Sequence, residues 1–211
     1  MEEAAEVKRP NRFRSILYVG ANIVGISLML IGISLLFWIG RPYVTLYLSA
    51  STKRALEAKA RGPVTAEKRI IIPAVLVDAP INEGFTNEAL KTGIAHVSDS
   101  AIPGEPGTVV LAGHNYAYFV QGDQNFFSLL HLMKPGTPIY IFWAGKRYVY
   151  KSYEMETVPM DDPVIFAQSD SPSLTLVGCA SSWDSATISA TRRLVVRARP
   201  AAGKAGSSGK R

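Results

Sequence analysis

The chain contains one cysteine, Cys179, and three histidines. A lone cysteine is a nucleophile candidate only when suitable partners stand elsewhere in the chain; otherwise it is a small buried hydrophobe. Cys179 ends the apolar run Leu174-Thr175-Leu176-Val177-Gly178-Cys179. His114 holds a similar place, after Val109-Val110-Leu111-Ala112-Gly113 and before Asn115, where a strand gives way to a loop. The end of a strand on a rigid sheet fixes a ring well enough to serve as a base. Fourteen residues after Cys179, Arg193 opens the strand-like Leu194-Val195-Val196, so a strand, a turn and a return strand would bring Arg193 back beside Cys179.

Those three residue types have a coherent chemistry. The thiolate is the attacking species, and a neighbouring imidazolium or guanidinium lowers the thiol pKa. The imidazole can then protonate a leaving amine. A fixed guanidinium can bind a carbonyl oxygen as negative charge develops on it. Spacing alone leaves this Cys–His–Arg reading and a buried structural cysteine both open. Of the other histidines, His96 follows a helix signal and reads as a capping or core residue. His131 lies in a short helical segment and reads as a surface or packing residue. Asp161-Asp162 reads as a solvated turn, and no His or Cys cluster has metal-ligand spacing.

The elements that must position these residues are short. Apolar runs separated by Pro, Gly and Asn predict strands at Arg69–Ile72, Ala74–Val77, Thr108–Ala112, Pro138–Trp143, Arg147–Glu154, Leu174–Cys179 and Arg193–Arg199. Ile139–Trp143 and Arg147–Tyr153, joined through Ala144-Gly145-Lys146, predict a β-hairpin. Short helices are expected at Asn87–Thr92 and Asn125–Met133, the second stopped by Pro135-Gly136, and at Thr52–Arg61 before Gly62-Pro63. Many short strands at this spacing make the domain all-β, a barrel or a sandwich.

Ahead of them, Ile16 to Ile39 holds no charged residue over 24 positions. As a helix this is about 36 Å, against a hydrocarbon core of about 30 Å. It is longer than a signal-peptide h-region and ends in Phe37-Trp38-Ile39 rather than small residues, so a retained transmembrane helix is expected. Lys8, Arg9, Arg12 and Arg14 place the N-terminus on the cytoplasmic side and export the chain beyond Arg41. The formal net charge of +6 lies mostly in these flanks and in a Gly/Ser/Lys tail, with hydrophobic residues at 47% and charged residues at 19%. This argues against a nucleic-acid groove and for a packed core. The expected organisation is a cytoplasmic N-terminus at 1–15, a membrane helix at 16–40, a linker or stalk at 41–66, a β-domain at 67–200 and a disordered basic tail at 201–211.

The blocks Pro103-Gly104-Glu105-Pro106-Gly107 through Leu111-Ala112-Gly113-His114-Asn115, then Thr175-Leu176-Val177-Gly178-Cys179, then Arg193-Leu194-Val195-Val196, resemble the sortases in order and spacing. The likeness runs from about Ile70 to Arg199, and an N-terminal anchor fits it. Sortases carry Thr-Leu-x-Thr-Cys at the nucleophile. Gly178 stands here in place of the second Thr, which alters the substrate subsite and leaves the nucleophile.

The resemblance implies a closed sortase-type β-barrel with His114, Cys179 and Arg193 as catalytic residues and Arg192 as the alternative arginine. Gly178, Asn115 and Trp183 are expected to line the substrate, and Thr157 to Pro172 resembles the family's substrate-lining loop. The implied reaction cuts a C-terminal sorting signal of the Leu-Pro-x-Thr-Gly type through a thioester on Cys179. A cell-wall precursor or pilin amine would then take the protein. No cofactor is implied, and a calcium site, found in some relatives, has no signature in this chain. Two other readings use the same residues or none of them: a cysteine hydrolase with water as acceptor, and a non-catalytic membrane-tethered β-domain.

Overall fold

The computed structural model describes residues 12–48, 50–115, 125–179, 183–184 and 189–201. The basic tail beyond residue 201 and residues 1–11 lie outside the described residues. The chain divides into two compact units, Met1–Thr45 and Leu46–Arg211. The first holds all but the last three residues of helix α1 (Arg12–Leu48), which is 37 residues long. Its stretch Leu17–Trp38 has a mean hydropathy of 2.2 and no buried residues, so it is long and apolar enough to cross a membrane.

The second unit begins with α2 (Ala50–Arg61), followed by strands β1 (Arg69–Ile72), β2 (Val77–Glu83), helix α3 (Asn87–Thr92), β3 (Ile94–His96), β4 (Thr108–Ala112), β5 (Pro138–Trp143), β6 (Lys146–Pro159), β7 (Ser173–Cys179), β8 (Trp183–Asp184), β9 (Ser189–Ala190) and β10 (Arg192–Pro200). Eight of these close a barrel in the order β1-β2-β3-β4-β7-β10-β6-β5, and β5 pairs back on β1. β2/β3 and β4/β7 are parallel. The β5–β6 hairpin turns through Ala144 (φ 48°) and Gly145 (φ 69°), the two positive φ values that suit a tight turn between twisted strands.

An eight-stranded barrel is just wide enough for its interior to be filled by side chains. Here the filling includes Ile70, Ile72, Leu111, Ile139, Ile141, Leu174 and Leu176, with Phe127 and Leu130 from the segment after residue 125. Part of the outer face of β4, β7 and β10 is also apolar. Val110, Ala112, Val177 and Val195 lie in a second cluster with Ala89 and Leu90 of α3 and with Ile165. Burial on both faces is why β4 and β7 read as continuous apolar runs rather than alternating ones. α2 covers a third patch, with Ala60 fully buried in a cluster with Ile71, Tyr140 and Phe142. Arg147 ties its end down, donating to the carbonyls of Ala60 (3.3 Å) and Gly62 (3.1 Å).

Two expected elements are different. Ala74–Val77 is not a strand: Pro73–Val75 forms a 3₁₀ turn, Leu76 takes a left-handed φ of 56°, and β2 starts only at Val77. Pro73 fixes φ and lacks an N–H, so it starts a turn readily and cannot donate to a ladder. Asn125–Met133 is not an α-helix. Its bonds run from Leu130 N to Phe127 O, Leu132 N to Leu129 O and Met133 N to Leu130 O, the tight three-residue winding, with a 3₁₀ helix at Leu130–Leu132. That winding lets Phe127 and Leu130, both fully buried, enter the core together. β6 extends five residues past the expected Glu154, because β10 pairs with it as far as Arg192↔Pro159.

Candidate active site

β7 is the central strand of the site, flanked by β4 on one side and β10 on the other. Across the antiparallel pair, Arg193 lies directly opposite Cys179. Across the parallel pair, Ala112 is level with Val177, and Gly113 N closes this last step by donating to Val177 O at 3.0 Å. Carried two residues past the end of β4, that register points from Ala112 toward His114 and from Val177 toward Cys179. Neighbouring strands are about 4.8 Å apart, so Arg193 flanks Cys179 on one side, and the end of β4, two residues before His114, lies on the other.

Alternation decides which face these positions occupy. Leu174 and Leu176 of β7 and Leu194 and Val196 of β10 fill the barrel, whereas Val177 and Val195 belong to the outer cluster. Positions 179 and 193 share the parity of the outer set. Position 178 has the opposite parity. A Cβ on Gly178 would lie 3.7 Å from both Leu130 and Phe127, inside the barrel.

The backbone holds His114 from both directions. Its carbonyl accepts from Phe127 N at 3.0 Å, next to the Gly113–Val177 bond. A Cβ on Gly113 would meet Ile94 Cδ1 at 2.7 Å and the Phe127 ring at 2.8 Å, so these core side chains would have to shift to admit one. His114 is half-buried and Asn115 is buried. Arg193 is half-buried and is also level with Val158 of β6; its Nη1 donates to Arg192 O at 3.3 Å. Arg192 is exposed, and its Nη2 donates to Thr157 O at 2.7 Å. Trp183 sits in β8, whose backbone pairs with β9 opposite Ala190.

The segment from Thr157 to Pro172 borders this site. Met160 N donates to Thr191 O at 3.0 Å. Asp162 caps the following turn, its Oδ1 accepting from Val164 N at 2.9 Å, and Ile165 is buried beneath it. Asp161-Asp162 is thus a turn, and among the described residues no group of His, Cys, Asp or Glu could hold a metal ion.

His96, expected as a capping or core residue, is indeed a buried hydrogen-bonded one, in a cluster whose other members the sequence did not point to. His96 is 2% exposed, with Nδ1 2.9 Å from Glu83 Oε2 and Nε2 3.2 Å from Ser100 Oγ. A serine, a histidine and a glutamate in this order resemble a nucleophile–base–orienter set. The hydrogen bonds argue otherwise. Nε2 also faces the Ala101 carbonyl at 3.1 Å, so it must donate, and Ser100 already donates to Val97 O at 2.6 Å. Neither group is left as a base or a poised hydroxyl. Trp143 packs edge-on to His96 at 5.0 Å, and Lys68 lies 4.2 Å from the Trp143 ring centre while pairing with Glu83. Burial pushes the Glu83 carboxyl up, but the hydrogen bonds and charges of Lys68 and His96 together outweigh it and hold the carboxyl below its usual range. This cluster joins β2 to β3; its other members are too far apart in sequence, and too polar, to announce themselves as core.

Comparison with known proteins converges on one family. The model of the sortase domain matches residues 70–201. The chain is similar to sortase D of Bacillus subtilis (strain 168), 26% identical over 132 residues, which cover 61% of this chain and 63% of that protein. It is 28% identical over 116 residues to sortase A of Bacillus anthracis, covering 55% and 53% of the two chains. The chain therefore spans less than two thirds of the length of these curated relatives. Among solved structures, sortase A from Corynebacterium diphtheriae aligns with a TM-score of 0.57 at 26% identity, covering 69% of this chain and 65% of that one. Clostridium perfringens sortase C, solved with the C-terminal cell wall sorting motif, aligns with a TM-score of 0.54 at 25% identity over 66% and 72% of the chains.

Proposed function

Because the chain belongs to the sortase family, we propose that it is a membrane-anchored cysteine transpeptidase acting on C-terminal sorting signals of the Leu-Pro-x-Thr-Gly type. The observation that carries this reading is the register that sets Arg193 opposite Cys179 and runs toward His114 on the other side. In the proposed reaction the Cys179 sulfur attacks the carbonyl carbon of the scissile peptide bond. Arg193 holds the oxygen as it gains negative charge. The C–N bond then breaks, His114 gives a proton to the departing amine, and a thioester remains on Cys179. An acceptor amine from a cell-wall precursor or a pilin attacks the thioester carbon, passes its proton to His114 and leaves an amide, with Cys179 released.

The substrate class draws support from the sorting motif with which the related sortase C was solved. The apolar stretch Leu17–Trp38 supports membrane attachment. The basic residues Lys8, Arg9, Arg12 and Arg14 favour a cytoplasmic N-terminus and an exported barrel. Asn115, Gly178 and Trp183 remain the proposed substrate-side neighbours, with Gly178 acting through the inner residues Phe127 and Leu130 that lie against it.

The test is mass spectrometry of the full chain in detergent, incubated with a sorting-signal peptide with and without an added amine. The expected results are an acyl adduct on Cys179 and an amide product once the amine is present. Release of free acid alone in the presence of the amine would sink transpeptidation. Full turnover by Cys179→Ala would sink the nucleophile assignment.

A further inference from the structure

The outer surface of β7 and β10 has a second feature at its other end. A cavity of about 490 Å³ opens where β7 begins, β10 ends and residues 167–172 pass over them. Its size falls within the roughly 300–1,000 Å³ of small-molecule sites. Thr175 pairs with Arg197 at its near edge, four residues along the strands from the Cys179–Arg193 pair. At about 3.3 Å per residue that is roughly 13 Å. Val177 and Val195, buried in one cluster with Ile165, separate the two places. The cavity is therefore distinct from the proposed reacting position.

Its lining has a definite chemistry. No Asp or Glu lines it, whereas Arg197 and Arg199 both do, with Ser169, Ser171 and Ser173. The two cations are not equivalent. Arg197 is compensated by Glu156 at 2.9 Å and Glu154 at 3.6 Å, and its Nη2 also donates to Val164 O at 3.3 Å. Arg199 instead lies 4.2 Å over the Tyr153 ring, with no carboxylate partner among the described residues. The serines are held by local bonds that leave oxygen lone pairs open. Ser173 Oγ donates to Thr108 Oγ1 at 2.9 Å, and Ser169 Oγ accepts from Ser171 N at 3.3 Å. An exposed positive charge over an aromatic face, with no carboxylate on that arginine among the described residues, and a group of hydroxyls suit a ligand with one anionic group and several hydroxyls.

We propose that this cavity is a binding site for a small hydroxylated anion, a polyol bearing a phosphate or a carboxylate, whose charge is held by Arg199 and whose hydroxyls meet the serine cluster. The site is independent of the transpeptidase reading, since it shares no residue with the Cys179 site. Its outer wall continues the segment whose earlier residues bond to Thr191 and Arg192 beside Arg193.

The test is equilibrium titration and thermal unfolding of the full chain in detergent with glucose 6-phosphate, gluconate and glucose. Saturable binding and a saturating rise in Tm are expected for at least one of the two anions and not for glucose. Phosphate-only or carboxylate-only binding would identify the anionic group. Arg199→Ala should weaken binding at least tenfold and Arg199→Lys less, because lysine keeps the charge without the planar fork. Lys146→Ala, at the β5–β6 turn, should bind as the natural chain does. Absence of saturable binding by both anions, or unchanged affinity in Arg199→Ala, would overturn the proposal.

Discussion

Replacing Arg193 by alanine removes the guanidinium that the β7–β10 register sets opposite the proposed nucleophile. Directly opposed residues of an antiparallel pair have Cα atoms about 4.5–5.5 Å apart, so a side chain as long as arginine at 193 can span the distance to the proposed reacting carbonyl without any strand moving. Deleting one donor to a developing oxyanion costs about 10²–10³ in kcat, or about 2.7–4 kcal/mol. The loss should fall on kcat and kcat/KM alike, because the interaction strengthens only as the charge forms. Arg192 is the internal control. It is the neighbouring residue on the opposite face of β10, exposed, and bonded to the Thr157 carbonyl. Arg192→Ala should cost stability by about 0.5–1.5 kcal/mol for that bond, with kcat changed by less than about threefold. Initial rates on a fluorogenic sorting-signal peptide, with denaturation midpoints for each variant, separate the two effects. If Arg192→Ala lost as much turnover as Arg193→Ala, or if Arg193→Ala acted only through stability, the assignment from register would be wrong.

Other outcomes rest on the barrel. Leu176, fully buried inside it, should cost about 2–5 kcal/mol as Leu176→Ala, read by urea unfolding; a loss under about 1 kcal/mol would contradict an interior filled by side chains. Burial pushes the Tyr150 phenol up to about 12, partly opposed by the Gly104 backbone bond. The folded chain thus keeps a proton that the unfolded chain gives up near pH 10, and stability should fall as pH rises from about 10 to 12. Tyr150→Phe should flatten that fall, as alkaline unfolding curves would reveal. Glu83 has the opposite sign: its lowered carboxyl adds stability above the ordinary glutamate range and loses it as pH drops through the lowered folded value. Half of its side chain is exposed, so solvent holds the gain below about 1 kcal/mol, and Glu83→Gln should match the natural chain only in acid.

Local pattern in the chain was enough for the pieces whose physics is local. The uncharged span within α1, the β5–β6 hairpin, the helix at Asn87–Thr92 and the apolar runs of β4, β7 and β10 all announce themselves through composition and period. The likeness of three short blocks to one family named the closed barrel as well, because those blocks sit on strands that must meet. Where local signals competed with burial, pattern failed. Ala74–Val77 is apolar enough for a strand, but Pro73 winds it into a 3₁₀ turn. Asn125–Met133 is apolar enough for a helix, but it is wound more tightly as Phe127 and Leu130 enter the core.

The sequence placed Arg193 beside Cys179 through a return strand, but tertiary structure decided the neighbours that are far apart in the chain. Local context set His114, after an apolar strand, apart from His96, but it did not name the partners of either: His96 is bonded to Glu83 and Ser100, and His114 follows the end of β4 beside β7. The difference lies in pairing β3 with β2, and β4 in parallel with β7 across more than sixty residues. Such registers are set by which faces are buried, since a slip of one residue would turn the outer positions 179 and 193 into the barrel. The lone cysteine could be read as a candidate nucleophile from the sequence, whereas its distant neighbours depend on closing the barrel.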